Sequence, residues 1–210
     1  MSDSGTPARS AVSLRTADRA AGGSLSTATR PAVFLDRDGT IIVDTGYVRD
    51  PDTVQLVSGA AGAIARLNAA GLPVIIVSNQ SGIGRGILTE EMFARVQARV
   101  ESLLAQEGAH VDATYICPHA PDAEPPCECR KPGTRLFTRA AEEHGIDLTR
   151  SWLVGDRYRD VAPAQALGAR ALLVPTWQTP TDDMLRAAAT VRIASSLAAA
   201  VERILAAHGA

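Results

Sequence analysis

Residues 32–40 read Ala-Val-Phe-Leu-Asp-Arg-Asp-Gly-Thr, an apolar run that ends in two aspartates and a glycine. The apolar half predicts a buried strand, and side chains two positions apart in an extended segment point to the same side. Asp36 and Asp38 can therefore face one reacting group, and Gly39 allows a sharp turn after them. One carboxylate can attack phosphorus while the other protonates the leaving oxygen. The ordinary alternative is a solvated turn at a strand end.

A second apolar run, residues 74–77, ends in Ser-Asn-Gln-Ser-Gly at positions 78–82. Hydroxyls, amides and exposed backbone N–H groups are the groups that usually hold phosphate oxygens. An ordinary junction between a strand and a loop has a similar composition, so this segment alone leaves both interpretations open.

Two charged segments complete the pattern. Arg130 and Lys131 put a fork-shaped cation beside a point charge that suits a phosphoryl group. Residues 153–156, Leu-Val-Gly-Asp, predict another strand that runs into an acid, and Asp160 follows four positions on. The ordinary alternative for the Arg-Lys pair is a solvated surface. For the segment that ends in Asp156 it is a helix N-cap, where acids are favoured by the helix dipole. Because ligands of open α/β sheets bind beyond the carboxyl ends of the strands, we expect all four segments to meet at one site.

All three cysteines of the chain, and one of its four histidines, fall in one short segment, at Cys117, His119, Cys127 and Cys129. Three thiolates and an imidazole form the Cys₃His set of a closed structural zinc site. A disulfide with a spare thiol is the alternative, and it needs an oxidising compartment. We expect the Zn²⁺ to fix the loop that delivers the Arg-Lys pair and to take no part in chemistry.

The order Asp-x-Asp-Gly-Thr, Ser-Asn-Gln-Ser-Gly, Arg-Lys-Pro and Gly-Asp-x-x-x-Asp resembles the haloacid dehalogenase superfamily of phosphatases. The resemblance covers roughly residues 31–178, and the cysteine and histidine segment narrows it to the histidinol-phosphatase-like branch. It implies Mg²⁺-dependent hydrolysis of a phosphate monoester through an aspartyl-phosphate. No connection between the first two motifs is long enough for a cap domain, so we expect an open site.

The resemblance implies a role for each catalytic residue. Asp36 is the expected nucleophile and Asp38 the acid and base, while Ser78 and Lys131 hold phosphate oxygens. The expected Mg²⁺ ligands are Asp36, the backbone carbonyl of Asp38, and Asp156. Asp160, four residues after the last of these, is expected to orient the lysine or a water on the metal.

Residues 41–48, Ile-Ile-Val-Asp-Thr-Gly-Tyr-Val, resemble the family segment that lines the sugar side of the pocket. A small β-hairpin with a Thr-Gly turn is compatible with that role. The resemblance implies D-glycero-D-manno-heptose 1,7-bisphosphate as the substrate, which would lose its 7-phosphate, and histidinol phosphate is the alternative. From another class, a non-catalytic binding module stabilised by zinc is the rival. The expected substrate-binding residues are Asp44, Thr45, Gly46, Tyr47, Asn79, Gln80, Ser81, Arg130 and Arg157.

Composition agrees with one enzyme domain. The chain has 210 residues, of which 46% are hydrophobic and 21% charged, which is enough for a sizeable core. The net charge of −2 argues against a nucleic-acid partner, and no apolar stretch approaches the roughly 20 residues of a membrane span. We expect residues 1–30 to be a disordered extension without a secretory signal, and residues 31–210 to be a single phosphatase domain. We further expect a cytoplasmic monomer.

From residue 31 onward, apolar runs alternate with helical patterns, which predicts a parallel, doubly wound α/β sheet of the Rossmann-like type. The predicted strands are 33–36, 74–78, 114–117, 152–156, 171–174 and, more weakly, 191–193. The predicted helices are 59–70, 89–107, 134–144, 161–167 and 195–208. Thr89 is the predicted N-cap of the longest helix.

Overall fold

A parallel sheet is the centre of the computed structural model, which describes residues 14–16, 29–124 and 127–209. The seven strands found in these residues run in the order β1-β4-β3-β2-β5-β6-β7, and every neighbouring pair is parallel. Their bounds are β1 Leu14–Thr16, β2 Val33–Leu35, β3 Val74–Asn79, β4 Ala113–Cys117, β5 Trp152–Gly155, β6 Arg170–Leu173 and β7 Arg192–Ile193.

Helices cover both faces of the sheet. They are α1 Ala60–Ala69, α2 Ser81–Gly84, α3 Glu90–Gln106, α4 Arg135–His144, α5 Tyr158–Val161, α6 Pro163–Leu167, α7 Thr181–Thr190 and α8 Leu197–His208, with short 3₁₀ turns at Pro51–Thr53 and Leu148–Arg150. In the described part of the chain, no helix is both long enough and apolar enough to cross a membrane.

Successive residues of the central strands belong to different cores. Val33 and Leu35 pack with residues of α1, α3 and α8, whereas Phe34 packs on the other face with residues of α4 and α6. Side chains of a strand alternate between its two faces, so a sheet buried on both faces needs the continuous apolar runs that this sequence has. The predicted doubly wound parallel α/β fold is confirmed.

The longest helix begins where the sequence predicted. The Thr89 hydroxyl accepts a hydrogen bond from the Met92 backbone N–H at 3.1 Å, which is the N-cap contact. The buried side of α3 includes Phe93, Val96 and Val100, spaced three and four residues apart.

Three features differ from the sequence-based expectation. The predicted helix at 161–167 is two short helices, α5 and α6, because Pro163 has no N–H to continue a helical ladder. Helix α7 was not predicted: its only buried residue is Ala187, so the sequence carries little apolar periodicity there. Residues 14–16 pair with β4, so this part of the predicted disordered extension forms a strand; most of residues 1–30 lie outside the described residues.

Candidate active site

The carboxyl ends of β2, β3 and β5 lie side by side in the middle of the sheet. Leu35 is in register with Ile76 of β3 and Val154 of β5, and the Asp36 N–H donates to the Val154 carbonyl at 2.9 Å. Asp36 and Asp156 therefore leave adjacent strands at the same edge. This is where ligands bind in open parallel sheets.

A buried lysine joins the carboxylates at this edge. Lys131 Nζ lies 2.6 Å from Asp36 Oδ1 and 2.8 Å from Asp160 Oδ1, and it donates to the Val77 carbonyl at 2.6 Å. All three charged side chains are buried. The ammonium thus has a partner for each of its three protons.

The carboxylates of the site outnumber the cation between them. Burial, reinforced by Asp160 and Asp38, raises the pKa of Asp36 above its ordinary value, although Lys131 opposes the rise. Burial and the neighbouring Asp160 likewise raise the pKa of Asp156 to about 6. Asp160 and Asp36 together outweigh burial and raise the pKa of Lys131, so the lysine stays an ammonium. The buried carboxylates thus carry more negative charge than Lys131 neutralises, so a further cation would be stabilised here.

Three carboxylates form a group that could hold a metal ion. Ligand oxygens of Asp36, Asp156 and Asp160 lie within 4.8 Å of one another. Asp156 Oδ1 is buried and finds no hydrogen-bond partner among the described residues. Hard divalent cations such as Mg²⁺ take oxygen ligands of this kind, so these residues fit one. Asp36 and Asp160 both pair with Lys131, so Asp156 is the carboxylate of the three that the lysine leaves free.

Gly39 makes room for the Asp156 carboxylate. It has a φ of +89°, and a Cβ at this position would lie 2.6 Å from Asp156 Oδ2. We expect Gly39→Ala to displace this carboxylate and lower kcat by about 100-fold, the cost of a misplacement of about 1 Å. Steady-state kinetics measures the loss. The exposed Gly108, which is outside the residues expected to bind substrate or metal, is the control, because it is also at positive φ but a Cβ there would have no atom within 4 Å: Gly108→Ala carries a similar backbone strain without the clash.

Asp38 is held by hydrogen bonds from Arg37 and Gln80. Arg37 Nη2 donates to Asp38 Oδ1 at 2.9 Å, and Gln80 Nε2 donates to Asp38 Oδ2 at 2.7 Å. Gln80 Nε2 also donates to the Ser78 hydroxyl at 2.8 Å. The guanidinium of Arg37 is 4.7 Å from the centre of the Phe93 ring, and the residue is 2% exposed. Sequence reasoning missed Arg37, whose signal was an arginine between the two aspartates that follow a buried strand.

Two residues expected to bind substrate use their amides inside the protein. The Asn79 side chain accepts from the Lys131 N–H at 3.0 Å and donates to the Lys131 carbonyl at 3.1 Å, which holds the lysine loop against β3. Both amide protons of Gln80 go to Asp38 and Ser78. In this geometry Gln80 has no amide proton left for a substrate, and Asn79 keeps one amide proton at most.

Residues 41–48, which the resemblance assigns to the sugar side of the pocket, lie next to Asp156. Arg157 Nε donates to Asp156 Oδ2 at 3.1 Å, and Arg157 Nη2 lies 3.9 Å from Asp44 Oδ2. The Asp44 carboxylate caps a turn by accepting from the Gly46 N–H at 2.8 Å, and Tyr47 is 44% exposed. Thr45 is exposed at the same turn.

Residues 41–48 also contact the loop after β6, which sequence reasoning missed. In this contact Gln178 Nε2 donates to the Asp44 carbonyl at 3.1 Å. On the other side of the site, Arg130 is half-buried and donates to the His119 carbonyl at 3.3 Å. Ser81 is half-buried at the first position of α2.

The three cysteines and His119 form a compact cluster. Cys117 Sγ lies 3.6 Å from His119 Nδ1 and 3.5 Å from Cys127 Sγ, while Cys129 Sγ lies 3.3 Å from His119 Nδ1 and 3.7 Å from Cys127 Sγ. Ligand atoms of a tetrahedral zinc with bonds of about 2.3 Å are about 3.8 Å apart, so the set fits that ion. A disulfide needs about 2.05 Å, and all three thiols are free.

Known proteins are similar to this chain in sequence and in fold. Residues 128–200 match the family model described as HAD-hydrolase-like. The D-glycero-beta-D-manno-heptose-1,7-bisphosphate 7-phosphatase of Yersinia pestis is 40% identical over 154 residues, which are 70% of this chain and 82% of the relative. The enzyme of the same name from Mesorhizobium japonicum is 43% identical over 161 residues, 74% of this chain and 72% of the relative.

Solved structures agree with the sequence comparison. The D,D-heptose 1,7-bisphosphate phosphatase from B. bronchiseptica, complexed with magnesium and phosphate, superposes with a TM-score of 0.75 at 33% identity, covering 84% of this chain and 99% of that one. A putative HAD-like phosphatase from Mesorhizobium loti gives 0.74 at 34% identity, covering 89% and 90%. The chain therefore belongs to the haloacid dehalogenase superfamily of phosphatases.

Proposed function

We propose that the protein removes the 7-phosphate from D-glycero-β-D-manno-heptose 1,7-bisphosphate, using Mg²⁺ and an aspartyl-phosphate on Asp36. The observation that carries the chemistry is the Asp36 carboxylate 2.6 Å from the buried Lys131 ammonium, beside Asp156 at the carboxyl ends of the strands. The substrate proposal is supported by the names of the relatives, which specify the β anomer. Because the relatives are phosphatases, we do not adopt the alternative hypothesis of a non-catalytic binding module.

Asp36 is the proposed nucleophile. A bond forms between its carboxylate oxygen and phosphorus as the bond between phosphorus and the sugar oxygen breaks, and Asp38 gives its proton to that oxygen. A water then attacks phosphorus with Asp38 as the base, the bond to Asp36 breaks, and inorganic phosphate leaves. Asp38 can serve both steps because it follows Asp36 by two residues and is partly exposed, at 20% of its side chain.

Ser78 and Lys131 are the proposed phosphate-holding groups. Ser78 lies at the carboxyl end of β3, and Lys131 is tied to the same strand by its bond to the Val77 carbonyl. Asp160 orients the lysine from the opposite side at 2.8 Å. A preorganised ammonium beside the nucleophile needs no rearrangement when negative charge develops on the phosphate.

The proposed Mg²⁺ ligands are Asp36, the backbone carbonyl of Asp38, and Asp156. When bound, the ion neutralises the charges of phosphate and carboxylate so that one anion can approach another. The support is the donor set: buried carboxylates, one with an oxygen that has no hydrogen-bond partner in the described residues. The proposed structural Zn²⁺ is held by Cys117, His119, Cys127 and Cys129, which leave no open position for chemistry.

The remaining residues are proposed to face the sugar and its second phosphate. Asp44, Thr45, Gly46 and Tyr47 form the exposed segment on the Asp156 side, and Arg157 connects it to the metal-side carboxylate. Arg130 and Ser81 lie on the other side. Arg130 contacts a backbone carbonyl and has no carboxylate partner in the described residues, so its charge is available to an anion.

A substrate panel tests the proposed function. The purified protein should release phosphate from heptose 1,7-bisphosphate with Mg²⁺ present and lose this activity in EDTA. Histidinol phosphate, the alternative substrate, should be hydrolysed with a much lower kcat/KM. The reverse preference would overturn the substrate proposal while leaving the phosphatase chemistry in place.

Arg130 should decide substrate choice more than catalysis. We expect Arg130→Ala to lower kcat/KM for heptose 1,7-bisphosphate by about 10- to 100-fold, the loss of one charge-assisted contact, and to change hydrolysis of p-nitrophenyl phosphate much less. Arg135→Ala is the matched control, because Arg135 is exposed and pairs with Glu128 outside the site. Equal losses on both substrates would mean that Arg130 serves the phosphate being hydrolysed.

A further inference from the structure

We infer that Gln80 is a positioning residue, which directs the Ser78 hydroxyl proton towards the substrate phosphate and holds the Asp38 carboxylate in place. The inference rests on the proposed function, in which Ser78 holds phosphate and Asp38 is the acid and base. It adds a residue that touches neither the phosphate nor the metal.

The amide of Gln80 can lie in one orientation only. The residue is 5% exposed, and its Oε1 accepts from Arg37 Nη2 at 3.3 Å. A guanidinium has donors and no acceptor, so rotating the amide by 180° would bring an NH₂ group against it. The Nε2 group must therefore face the other way, where it reaches Asp38 Oδ2 at 2.7 Å and Ser78 Oγ at 2.8 Å.

This orientation determines what the Ser78 hydroxyl can do. A hydroxyl has one proton to donate and two lone pairs that accept. Because Gln80 donates to Ser78 Oγ, one lone pair is occupied and the Ser78 proton is left for another acceptor. Ser78 is buried at the carboxyl end of β3, so a bound phosphate oxygen is the acceptor that the proposed function supplies.

The same amide limits where Asp38 can point. Asp38 Oδ1 accepts from Arg37, and Asp38 Oδ2 accepts from both Arg37 and Gln80. Arg37 cannot easily follow a movement of the carboxylate, because it is 2% exposed and its guanidinium lies over the Phe93 ring of α3. The frame made by Arg37 and Gln80 thus links the acid and base to the phosphate-holding hydroxyl.

Two substitutions separate this role from simple packing. Gln80→Met keeps the size of the side chain but donates no hydrogen bond, and we expect kcat/KM for p-nitrophenyl phosphate to fall about 10-fold. Gln80→Glu keeps the shape almost unchanged, yet its carboxylate only accepts, so it draws the Ser78 proton towards itself and repels Asp38. We expect kcat/KM to fall by about 100-fold or more in Gln80→Glu. Inhibition by inorganic phosphate should likewise be weakened more in Gln80→Glu than in Gln80→Met. A residue that only fills space would show the opposite order, since Glu is the closer isostere.

A double substitution tests the link to Ser78. In a Ser78→Ala background the hydroxyl is absent, so Gln80→Met should weaken inhibition by inorganic phosphate less than it does in the wild type. Gln97 supplies the control: it is buried in α3 and its Nε2 donates to the Thr114 hydroxyl at 3.2 Å, away from the site. Gln97→Glu and Gln97→Met should lower thermal stability. The Glu variant at this position should not lose more kcat/KM than the Met variant.

The inference is overturned if Gln80→Glu is more active than Gln80→Met while both are folded by circular dichroism. It is also overturned if the Gln80→Met effect on phosphate inhibition is unchanged in the Ser78→Ala background. Inactivity of the wild type on heptose bisphosphate would instead refute the proposed substrate and leave this inference standing, because the readouts are p-nitrophenyl phosphate and inorganic phosphate.

Discussion

Asp36→Asn is expected to lower kcat by about 10⁴-fold or more while the protein stays folded, because an amide cannot attack phosphorus and residues acting as one catalytic unit fail together. The change is nearly isosteric, and the amide oxygen can still accept from Lys131, which lies 2.6 Å from Asp36 Oδ1. Lys131 also keeps its contacts with Asp160 and the Val77 carbonyl. The buried ammonium is thus not left alone, so we expect the loss to be chemical and not structural.

Single-turnover kinetics on p-nitrophenyl phosphate, with circular dichroism to check folding, measures this loss. Asp52→Asn is the control for the chemical change itself, because Asp52 is exposed in the 3₁₀ turn Pro51–Thr53. Acid trapping of a labelled protein should detect a phosphorylated aspartate in the wild type and not in Asp36→Asn. A variant that kept more than a tenth of the wild-type kcat would contradict covalent catalysis by Asp36.

The sequence predicts the fold well where apolar pattern and packing agree. Strands buried on both faces read as unbroken apolar runs, so β2 and β3 were predicted within one residue of their observed ends. The position of Asp36 follows from the same fact, because a carboxylate after such a run must stand at a strand end. Helix α7 carries little of this signal, since Ala187 is the only residue that it buries.

Side-chain partners are harder to predict than positions. The sequence brings Asn79 and Gln80 to the site, but only the fold shows that both amides are used internally, by the Lys131 backbone and by Asp38 with Ser78. The partners are distant in the chain: Asn79 and Lys131 are 52 residues apart. No local periodicity reports such a contact.

Cys127→Ser is the second substitution with a large expected effect. A serine hydroxyl is a poor zinc ligand, so the variant should lose the metal that we propose for the Cys₃His cluster, and the free energy of unfolding should fall by about 4 kcal/mol or more. Wild-type protein dialysed against Mg²⁺ buffer should keep about one equivalent of zinc per chain, because thiolates favour zinc over a hard cation. A protein without zinc but with a disulfide, found by metal analysis and mass spectrometry, would contradict this.

Loss of the zinc should affect catalysis through Lys131, which follows Cys129 by two residues. Its loop is held at one end by the cluster, where a hydrogen bond from Cys117, together with His119, lowers the pKa of the Cys129 thiol to about 5. At the other end, Asn79 binds the backbone of Lys131 with two hydrogen bonds. Cys127→Ser removes the first attachment and leaves the second, so kcat should fall by about 100-fold without vanishing. Asn79→Ala removes the second attachment alone; it should lower kcat while keeping the full zinc content. If Cys127→Ser lost its zinc and kept the wild-type kcat, the cluster would stabilise the fold without positioning Lys131.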